Sequence, residues 1–262
     1  MDTTAYLRRI HYEGQLAPTI ETLRGLHLAH MMAVPFENLD IPLGHPIVLD
    51  EQLLYEKIVG RSRGGFCYEL NGLFAALLSS LGFRVTRLSA RVYRPATAEL
   101  YEFDHLVLLV ELPQPSESRK LDFSNSAGSW LADVGFGDSY TEPLRFVADL
   151  EHSERGSTYR LTREGDCWVM SVLQSAGWKK FYQFTLTPHA LADFAGMCHY
   201  HQTSPESPFT TRRICSRALS DGRITLANMR LIIFRGGVRQ EQLLQSEEEY
   251  RAALRDHFGV VL

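Results

Sequence analysis

The sequence contains few cysteines, and their spacing argues against both a disulfide framework and a zinc site. No CxxC pair occurs among them, and none lies at a short metal-ligand interval from another. The four are Cys67, Cys167, Cys198 and Cys215. The N-terminus also lacks a charged region followed by an apolar one, which a secretory signal has. We therefore expect reduced thiols and a cytoplasmic protein.

Two further absences exclude broad classes of partner. No stretch approaches the roughly 18 apolar residues that a membrane-spanning helix needs, so we expect no membrane association. The 27 Lys and Arg residues are scattered, and the formal net charge is -4. The sequence therefore predicts no basic surface for the phosphates of a nucleic acid.

The chain does have enough apolar sequence for a large folded core. It comprises 262 residues, of which 45% are hydrophobic, and at this size a single core begins to divide. Apolar residues recur at helical spacing up to about residue 85, and after Gly82 the period changes to that of strands. The pattern predicts two or three subdomains.

Residues 63–71, with the sequence RGGFCYELN, combine features that favour a reactive cysteine. Gly64 and Gly65 free the backbone for a close approach just before Cys67. Apolar residues then recur at helical spacing as far as Gly82, which places Cys67 at a helix N-terminus, where unpaired N–H groups favour the thiolate. Most free cysteines are inert core residues, so a nucleophile also needs a base and an orienting group elsewhere.

His105 and Asp133 are the candidates for these two partners. His105 begins the continuous apolar strand 105–112, and Asp133 ends the next strand-like run. If the two strands pair, the carboxylate can reach the imidazole, and the ring can take the proton of Cys67 and later return it. The order of the three residues is that of papain-like and transglutaminase-like thiol enzymes. A zinc site built from the same residues is less favoured, because structural zinc usually has four ligands at short paired spacings.

Two predictions concern the surroundings of this site. Glu37 and Arg63 each flank a turn, and we expect a partly buried ion pair that fixes the loop carrying Cys67; the alternative is that both are solvated. Residues 113–129 are rich in proline, serine and charge, which predicts an exposed loop.

Beyond residue 187 the pattern mixes helix and strand. The expected elements are a short helix over 188–197, an irregular segment over 199–209, strands around 214–219 and 223–234, and a helix over 246–257. A hairpin turn is expected at residues 220–222, and the terminal helix is expected to end at Gly259.

Three motifs make the sequence similar to the arylamine N-acetyltransferase family. They are VPFENL at 34–39, RGGFCYELN at 63–71 and DVGFG at 133–137, and His105 follows Cys67 by 38 residues. The resemblance extends over nearly the whole chain. It implies that acetyl-CoA is the acyl donor and that an aromatic amine or hydrazine is the acceptor.

The resemblance also implies the fold, which belongs to the α+β class. A helical N-terminal domain over 1–85 is expected to carry the nucleophile, and a central β-barrel over 86–187 to carry the histidine and the aspartate. A C-terminal α/β lid is expected over 188–262. The core would be the papain/transglutaminase-like Cys-His-Asp arrangement.

Residue roles follow from the same resemblance. It makes Cys67 the acetylated nucleophile, His105 the base and Asp133 the orienting carboxylate of a two-step transfer. Phe36 and Phe136 are expected to line the acceptor pocket. The expected coenzyme A contacts are Gly137, Thr210 and Ser216. Acetyl-CoA would act as a co-substrate, and neither a tightly bound cofactor nor a metal is expected.

Two other functions are compatible with these residues. The same triad could serve an amide synthase or a hydrolase that acts on another thioester or on a peptide amide. Alternatively, the three residues could belong to the core of a binding module without enzymatic activity. We expect the chain to be a monomer or a homodimer.

Overall fold

The structure is a computed structural model that describes residues 1–94, 99–113 and 128–262. The helices are α1 (Thr3–Arg9), α2 (Ile20–Ala33), α3 (Glu51–Tyr55), α4 (Cys67–Ser80), α5 (Ala195–Thr203), α6 (Pro208–Thr211) and α7 (Glu247–Ala253). π-Helical turns continue α3 over Glu56–Gly60 and α7 over Leu254–Phe258, and a 3₁₀ turn, Leu191–Phe194, precedes α5. Within the described ranges, no helix is long and apolar enough to cross a bilayer.

The first helices begin at side chains that satisfy their unpaired N–H groups. Asp2 accepts from the third residue after it, and Thr19 does the same at the start of α2. Asp50 accepts two backbone N–H groups at the start of α3. These caps explain why short polar segments separate the helices of this part of the chain.

The strands form two antiparallel sheets. They are β1 (Phe36–Glu37), β2 (Arg84–Val92), β3 (His105–Glu111), β4 (Ser129–Ala132), β5 (Leu144–Arg145), β6 (Glu151–Glu154), β7 (Ser157–Glu164), β8 (Cys167–Gln174), β9 (Gly177–Pro188), β10 (Ile214–Leu219), β11 (Gly222–Ala227), β12 (Arg230–Arg235) and β13 (Val238–Leu243). One sheet has the order β5-β4-β3-β2-β9-β8-β7-β6 and curls into a nearly closed barrel. The other has the order β1-β10-β11-β12-β13. The expected α+β class with a barrel-like central sheet is confirmed.

Strand β3 lies between two hydrophobic cores, which explains its unbroken apolar sequence. Alternate residues from Leu106 to Val110 pack with the helices, whereas Val107 and Leu109 pack inside the barrel. A strand that is buried on both faces has no polar side to alternate with. His105 begins this strand on the face of Val107, so its ring lies at one end of the barrel interior.

The C-terminal part departs from the sequence prediction in two places. The expected strand over 223–234 is wrong, because β11 and β12 are separate strands joined by a turn in which Asn228 has φ 50°. Asparagine tolerates this left-handed conformation better than most residues, and its side chain accepts a hydrogen bond from Arg213 N–H at 2.9 Å. The hairpin turn at 220–222 and the helix end at Gly259, with φ 69°, are confirmed.

The segment 199–209 is mostly helical rather than irregular. Helix α5 continues to Thr203, and Ser207 caps the short helix α6, which has proline at its first position. His201, which belongs to α5, is buried in the folded protein. Its tertiary packing stabilises a turn of helix that the polar sequence did not predict. Of the loop predicted over 113–129, residues 114–127 lie outside the described ranges.

Candidate active site

Cys67 is the first residue of α4, as the sequence predicted. The side chain of Glu69 turns back to accept a hydrogen bond from Phe66 N–H at 3.0 Å, which caps the start of the helix. The close packing explains the glycine at 65, because a Cβ there would lie 2.7 Å from the side chain of Glu69. The loop before the thiol therefore has little room to move.

A cluster of buried charged side chains holds this loop in place. Arg63 donates to Glu37 Oε1 at 2.9 Å and to Asp40 Oδ1 at 3.0 Å. Lys57 Nζ lies 2.7 Å from both Asp40 Oδ2 and Glu69 Oε1. The predicted ion pair is confirmed, and it is more deeply buried than expected, since Glu37 is 0% and Arg63 6% exposed.

Lys57 stays charged in this cluster. Burial acts to lower the pKa of its ammonium group, but the nearby carboxylates of Glu69, Glu37 and Asp40 raise that pKa above its usual value. The lysine therefore compensates charge that would otherwise be buried without a partner.

Removing the Lys57 charge is expected to destabilise the fold strongly. In Lys57→Met, Asp40 and Glu69 lose a partner inside the protein, and breaking a buried pair in this way costs about 3–5 kcal/mol. Urea unfolding measures the loss. The matched control is Lys180→Met, which breaks an exposed pair with Glu164 and is expected to cost less than about 1 kcal/mol. Equal midpoints for Lys57→Met and the parent protein would contradict the prediction.

Pairing of β3 with β4 brings His105 and Asp133 together. The two strands are antiparallel, with Leu108 opposite Ala132, and Asp133 directly follows β4. His105 Nε2 lies 2.9 Å from Asp133 Oδ2, and both side chains are almost completely buried. The expected contact between carboxylate and imidazole is present, and it leaves Nδ1 as the second nitrogen of the ring.

Asp133 is held as an ionised carboxylate. Its Oδ1 accepts from Asn71 Nδ2 at 2.8 Å and from Gly135 N–H at 3.0 Å. Burial acts to raise the pKa of this carboxyl, but the charge of His105 and the hydrogen bonds from His105, Asn71 and Gly135 lower it below the usual value. An ionised Asp133 can hold the tautomer of His105 and stabilise its charged form.

Asn71 connects the helix of the cysteine to the loop of the aspartate. Besides Asp133, its Nδ2 donates to Leu106 O at 2.6 Å, and its Oδ1 accepts from Val134 N–H at 2.9 Å. Asn71 and Cys67 are four residues apart and so share one face of α4. The sequence motif contained Asn71, but its role becomes visible only through these long-range partners.

Gly135 lies against the start of α4, where a side chain has no room. A Cβ at this position would lie 2.8 Å from Cys67 Cα and 2.9 Å from Cys67 O. These are backbone atoms, which cannot turn away as a flexible side chain can. The loop after Asp133 therefore approaches the thiol as closely as glycine allows.

Adding one methyl group at Gly135 is expected to damage the site. In Gly135→Ala the loop and α4 must separate, which costs about 1–3 kcal/mol as overpacking. A misplacement of about 1 Å at a reacting centre lowers activity on the order of 10²-fold. Initial rates of the catalysed reaction and thermal unfolding measure the two effects. Gly196→Ala is the control, because a Cβ there meets no atom within 4 Å apart from its chain neighbours and the backbone of its own helix, and its full activity is part of the expectation.

One cavity of about 220 Å³ contains the thiol and the imidazole. Cys67, His105, Phe36 and Phe136 line it together, and Phe209 adds a third aromatic wall. The other described residues that line it are Val92, Arg94, Asp104, Gly135, Pro208, Arg212 and Ile214. The ring of Phe136 meets that of His105 edge to face, with 5.2 Å between centroids. The cavity can therefore hold a flat apolar group beside the sulfur.

The helix N-terminus alone does not make Cys67 a thiolate. Burial raises the pKa of the thiol well above its usual value, and the carboxylate charges of Asp104 and Asp133 raise it further. A hydrogen bond from the backbone N–H of Leu106 acts in the opposite direction but is outweighed. The helix N-terminus is therefore not sufficient to ionise Cys67, and formation of the thiolate depends on transfer of the thiol proton to a base.

The expected coenzyme A residues lie beside the cavity rather than in its described lining. Gly137, with φ 87°, packs under Phe36, and a Cβ there would lie 3.2 Å from that ring. Ser216 is the β-sheet partner of Phe36. Arg223 donates to Ser216 Oγ at 3.2 Å and also to Gly137 O, which brings these two residues into one network.

Thr210 lies apart from this network, on α6. Its hydroxyl oxygen lies 2.7 Å from Ser204 O and 3.0 Å from Ser207 O, and the two carbonyls share its one hydrogen. In this arrangement the Thr210 hydroxyl ties α6 to the end of α5. Its oxygen keeps capacity to accept a further hydrogen bond.

A second buried pair of aspartate and histidine lies next to the first. Asp104 Oδ1 accepts from His201 Nε2 at 3.1 Å and from Arg94 Nη2 at 2.6 Å. Burial acts to raise the pKa of Asp104, but hydrogen bonds and charge from His201 and Arg94 lower it below the usual value. Through this pair, α5 is fastened to the start of β3 beside His105. The sequence analysis did not identify this pair.

Over the described ranges, no group of three or more His, Cys, Asp and Glu side chains could hold a metal ion.

A family model described as N-acetyltransferase matches residues 19–262. An arylamine N-acetyltransferase of Escherichia coli is 36% identical over 97% of this chain and 87% of its own length. The human arylamine N-acetyltransferase 1 is 31% identical over 100% of this chain and 95% of its own length.

Solved structures agree with these relatives. The arylamine N-acetyltransferase of Mycobacterium tuberculosis superposes with a TM-score of 0.88 at 33% identity, covering 99% of this chain and 94% of that one. The Mycobacterium marinum arylamine N-acetyltransferase in complex with CoA gives 0.88 at 34% identity, with coverages of 99% and 93%. The fold and the sequence thus define an acyltransferase. The chain belongs to the arylamine N-acetyltransferase family.

Proposed function

We propose that this protein transfers an acetyl group from acetyl-CoA to arylamines and arylhydrazines in two half-reactions, through a thioester on Cys67. The observation that carries the proposal is a single apolar cavity lined by a thiol and by an imidazole whose far nitrogen is bonded to a buried, ionised carboxylate. This arrangement supplies a nucleophile, a base and an orienting group.

In the first half-reaction, Nδ1 of His105 takes the proton of the Cys67 thiol as the sulfur attacks the carbonyl carbon of acetyl-CoA. A new bond forms between this carbon and Cys67 Sγ, and the bond to the coenzyme A sulfur breaks. The imidazolium then gives its proton to the departing thiolate. Asp133 stabilises the charged ring during this step.

In the second half-reaction, the acceptor nitrogen attacks the acetyl-enzyme. The bond from the acetyl carbon to Cys67 Sγ breaks, and the nitrogen loses a proton to His105, which returns it to the sulfur. The product is an amide or a hydrazide, and the resting thiol is regenerated. Apolar walls around the sulfur reduce the access of water, which would otherwise hydrolyse the acetyl-enzyme.

The dimensions and lining of the cavity support a flat aromatic acceptor. Its volume of about 220 Å³ exceeds that of an engineered apolar cavity of roughly 150 Å³ that binds benzene. Phe36, Phe136 and Phe209 offer ring faces and edges to an aromatic guest. These walls favour arylamines and arylhydrazines over aliphatic amines.

Gly137, Thr210 and Ser216 are the proposed contacts for coenzyme A. A Mycobacterium marinum relative has been solved with CoA, which supports coenzyme A as the carrier here. Gly137 leaves a backbone surface without a side chain. Both hydroxyls already take part in hydrogen bonds within the protein, so each can serve coenzyme A only as a shared partner.

Mass spectrometry without acceptor tests the proposal directly. After mixing with acetyl-CoA, the peptide that contains Cys67 is expected to carry one acetyl group, which an arylamine then removes while forming one equivalent of amide. Label on Cys167, Cys198 or Cys215 instead would refute the assignment. A panel of other acyl-CoA donors, with water as the only acceptor, separates transfer from hydrolase chemistry.

A further inference from the structure

His27, on α2, reaches from the helical part of the chain to the loop that follows β4. Its Nε2 lies 3.1 Å from the backbone nitrogen of Asp133, and its Nδ1 lies 2.8 Å from Thr141 O. The side chain is 0% exposed. One imidazole thus holds both ends of the loop 133–141.

The two hydrogen bonds determine the tautomer of His27. The backbone N–H of Asp133 can only donate, so Nε2 must present its lone pair; the carbonyl of Thr141 can only accept, so Nδ1 must carry the hydrogen. The ring is therefore neutral. Burial lowers the pKa of His27 to about 4, against smaller opposing effects of Thr141 and Asp133, which agrees with a neutral ring at pH 7.

The ring of His27 is packed between two aromatic side chains. It stacks against Tyr140, with 6.0 Å between centroids and 14° between planes, and it meets Phe74 edge to face. Tyr140 belongs to the loop, and Phe74 belongs to α4. His27 is therefore packed between the helix of the cysteine and the loop of the aspartate.

The loop 133–141 contains most of what the site needs besides Cys67 and His105. It carries the carboxylate bonded to His105, the glycine that abuts the start of α4, and Phe136 in the cavity wall. Without an acceptor at His27, the buried N–H of Asp133 loses its partner, and such a group is costly to leave unpaired. The turn then has reason to rearrange and to move Oδ2 away from His105.

We propose that His27 is a positioning residue for the reaction, acting through the backbone of Asp133 and holding its carboxylate in line with His105. The proposal rests on the proposed function of Cys67, His105 and Asp133. It adds a fourth residue to that group, one that touches neither substrate nor thiol. His27 acts as a neutral hydrogen-bond acceptor and donor rather than as an acid or a base.

The test follows the reactivity of Cys67 towards iodoacetamide at pH 7, read by mass spectrometry on the peptide that contains it. In His27→Leu the alkylation rate and kcat are expected to fall roughly 10-fold, because the apolar leucine side chain leaves the backbone N–H of Asp133 without a partner. The KM for the arylamine is expected to change little. In His27→Gln the amide oxygen can take the place of Nε2, so both rates are expected to stay within about 3-fold of the parent.

The matched control is His30→Leu, a second buried histidine on the same helix. His30 is also 0% exposed, but its ring is bonded to the hydroxyl of Tyr6 at 2.9 Å and not to the loop. This variant is expected to lower stability and leave the alkylation rate of Cys67 unchanged. An equal loss of reactivity in both leucine variants would overturn the proposal, because it would indicate a general loss of packing.

Should His27→Leu not fold, His27→Asn replaces it. The shorter amide keeps a donor near Thr141 but falls short of the amide of Asp133, so equal reactivity of His27→Asn and His27→Gln would also overturn the proposal. Alkylation uses no acetyl-CoA, which separates the two hypotheses. If Cys67 of the parent protein is alkylated rapidly but no acetyl group is transferred, only the proposed function is refuted. If the parent enzyme is active and Cys67 of the His27 variants is alkylated at the parent rate, only the inference about His27 is refuted.

Discussion

Replacing Cys67 with serine is expected to lower acetyl transfer by a factor on the order of 10³ or more while leaving the fold intact. Loss of a nucleophile removes the covalent route altogether, and effects of this size or larger are typical. Oxygen replaces sulfur without filling new space, so the packing around α4 is preserved. A hydroxyl is a far weaker acid than a thiol, and the burial that already raises the pKa of Cys67 opposes its ionisation even more.

Steady-state rates with acetyl-CoA and an arylamine measure this effect, and circular dichroism verifies the fold. Cys167→Ser is the matched control, since Cys167 is partly exposed on β8, away from the cavity lining. Its rate is expected to equal that of the parent. Substantial turnover in Cys67→Ser, with amide formed at more than about one tenth of the parent rate, would contradict a thioester intermediate on this residue.

Replacing Asp133 with asparagine is expected to lower kcat on the order of 10³–10⁴-fold, as for the aspartate of other catalytic triads. The existing donors determine how the new amide must point. Asn71 Nδ2 and Gly135 N–H both donate to Oδ1, so the amide oxygen has to occupy that position and the NH₂ group has to face His105. Nε2 then becomes an acceptor, the hydrogen moves to Nδ1, and the ring can no longer take the thiol proton.

Asp193→Asn serves as the control for this substitution. Asp193 also lies near a histidine, with 3.7 Å between its Oδ2 and His189 Nδ1, but it is half exposed and outside the cavity lining. Its activity is expected to be unchanged. A loss below about 10-fold in Asp133→Asn would show that the tautomer of His105 does not depend on this carboxylate.

The sequence predicted the residues whose chemistry is local, and the structure supplied those whose role depends on distant partners. Cys67 follows two glycines and starts a helix, and His105 begins an apolar strand, so both carry local signals. Lys57 and Asp40 carry none, because a charged residue is usually solvated. Their burial depends on Arg63 and Glu69, which only the folded chain brings next to them.

His27 carries a partial signal in the sequence. It lies on the inner face of α2 with Leu23, Leu26 and His30, at the spacing of one side of a helix. Two histidines on an apolar face indicate buried polar groups that need partners. The partners of His27, the amide of Asp133 and the carbonyl of Thr141, lie more than one hundred residues away, so they could not be named from the sequence.

The short strand β1 has a consequence for how substrates enter. It leaves the N-terminal part of the chain to become the edge of the C-terminal sheet, pairing Phe36 with Ser216. Next to it, the side chain of Asn38 bonds the backbones of Phe209, Arg212 and Ile214. A hinged opening of the whole C-terminal part would break this seam together with one wall of the cavity. Acetyl-CoA and its acceptor are therefore expected to reach the sulfur through small movements of individual side chains, because backbone and side-chain hydrogen bonds hold the N-terminal and C-terminal parts of the chain together.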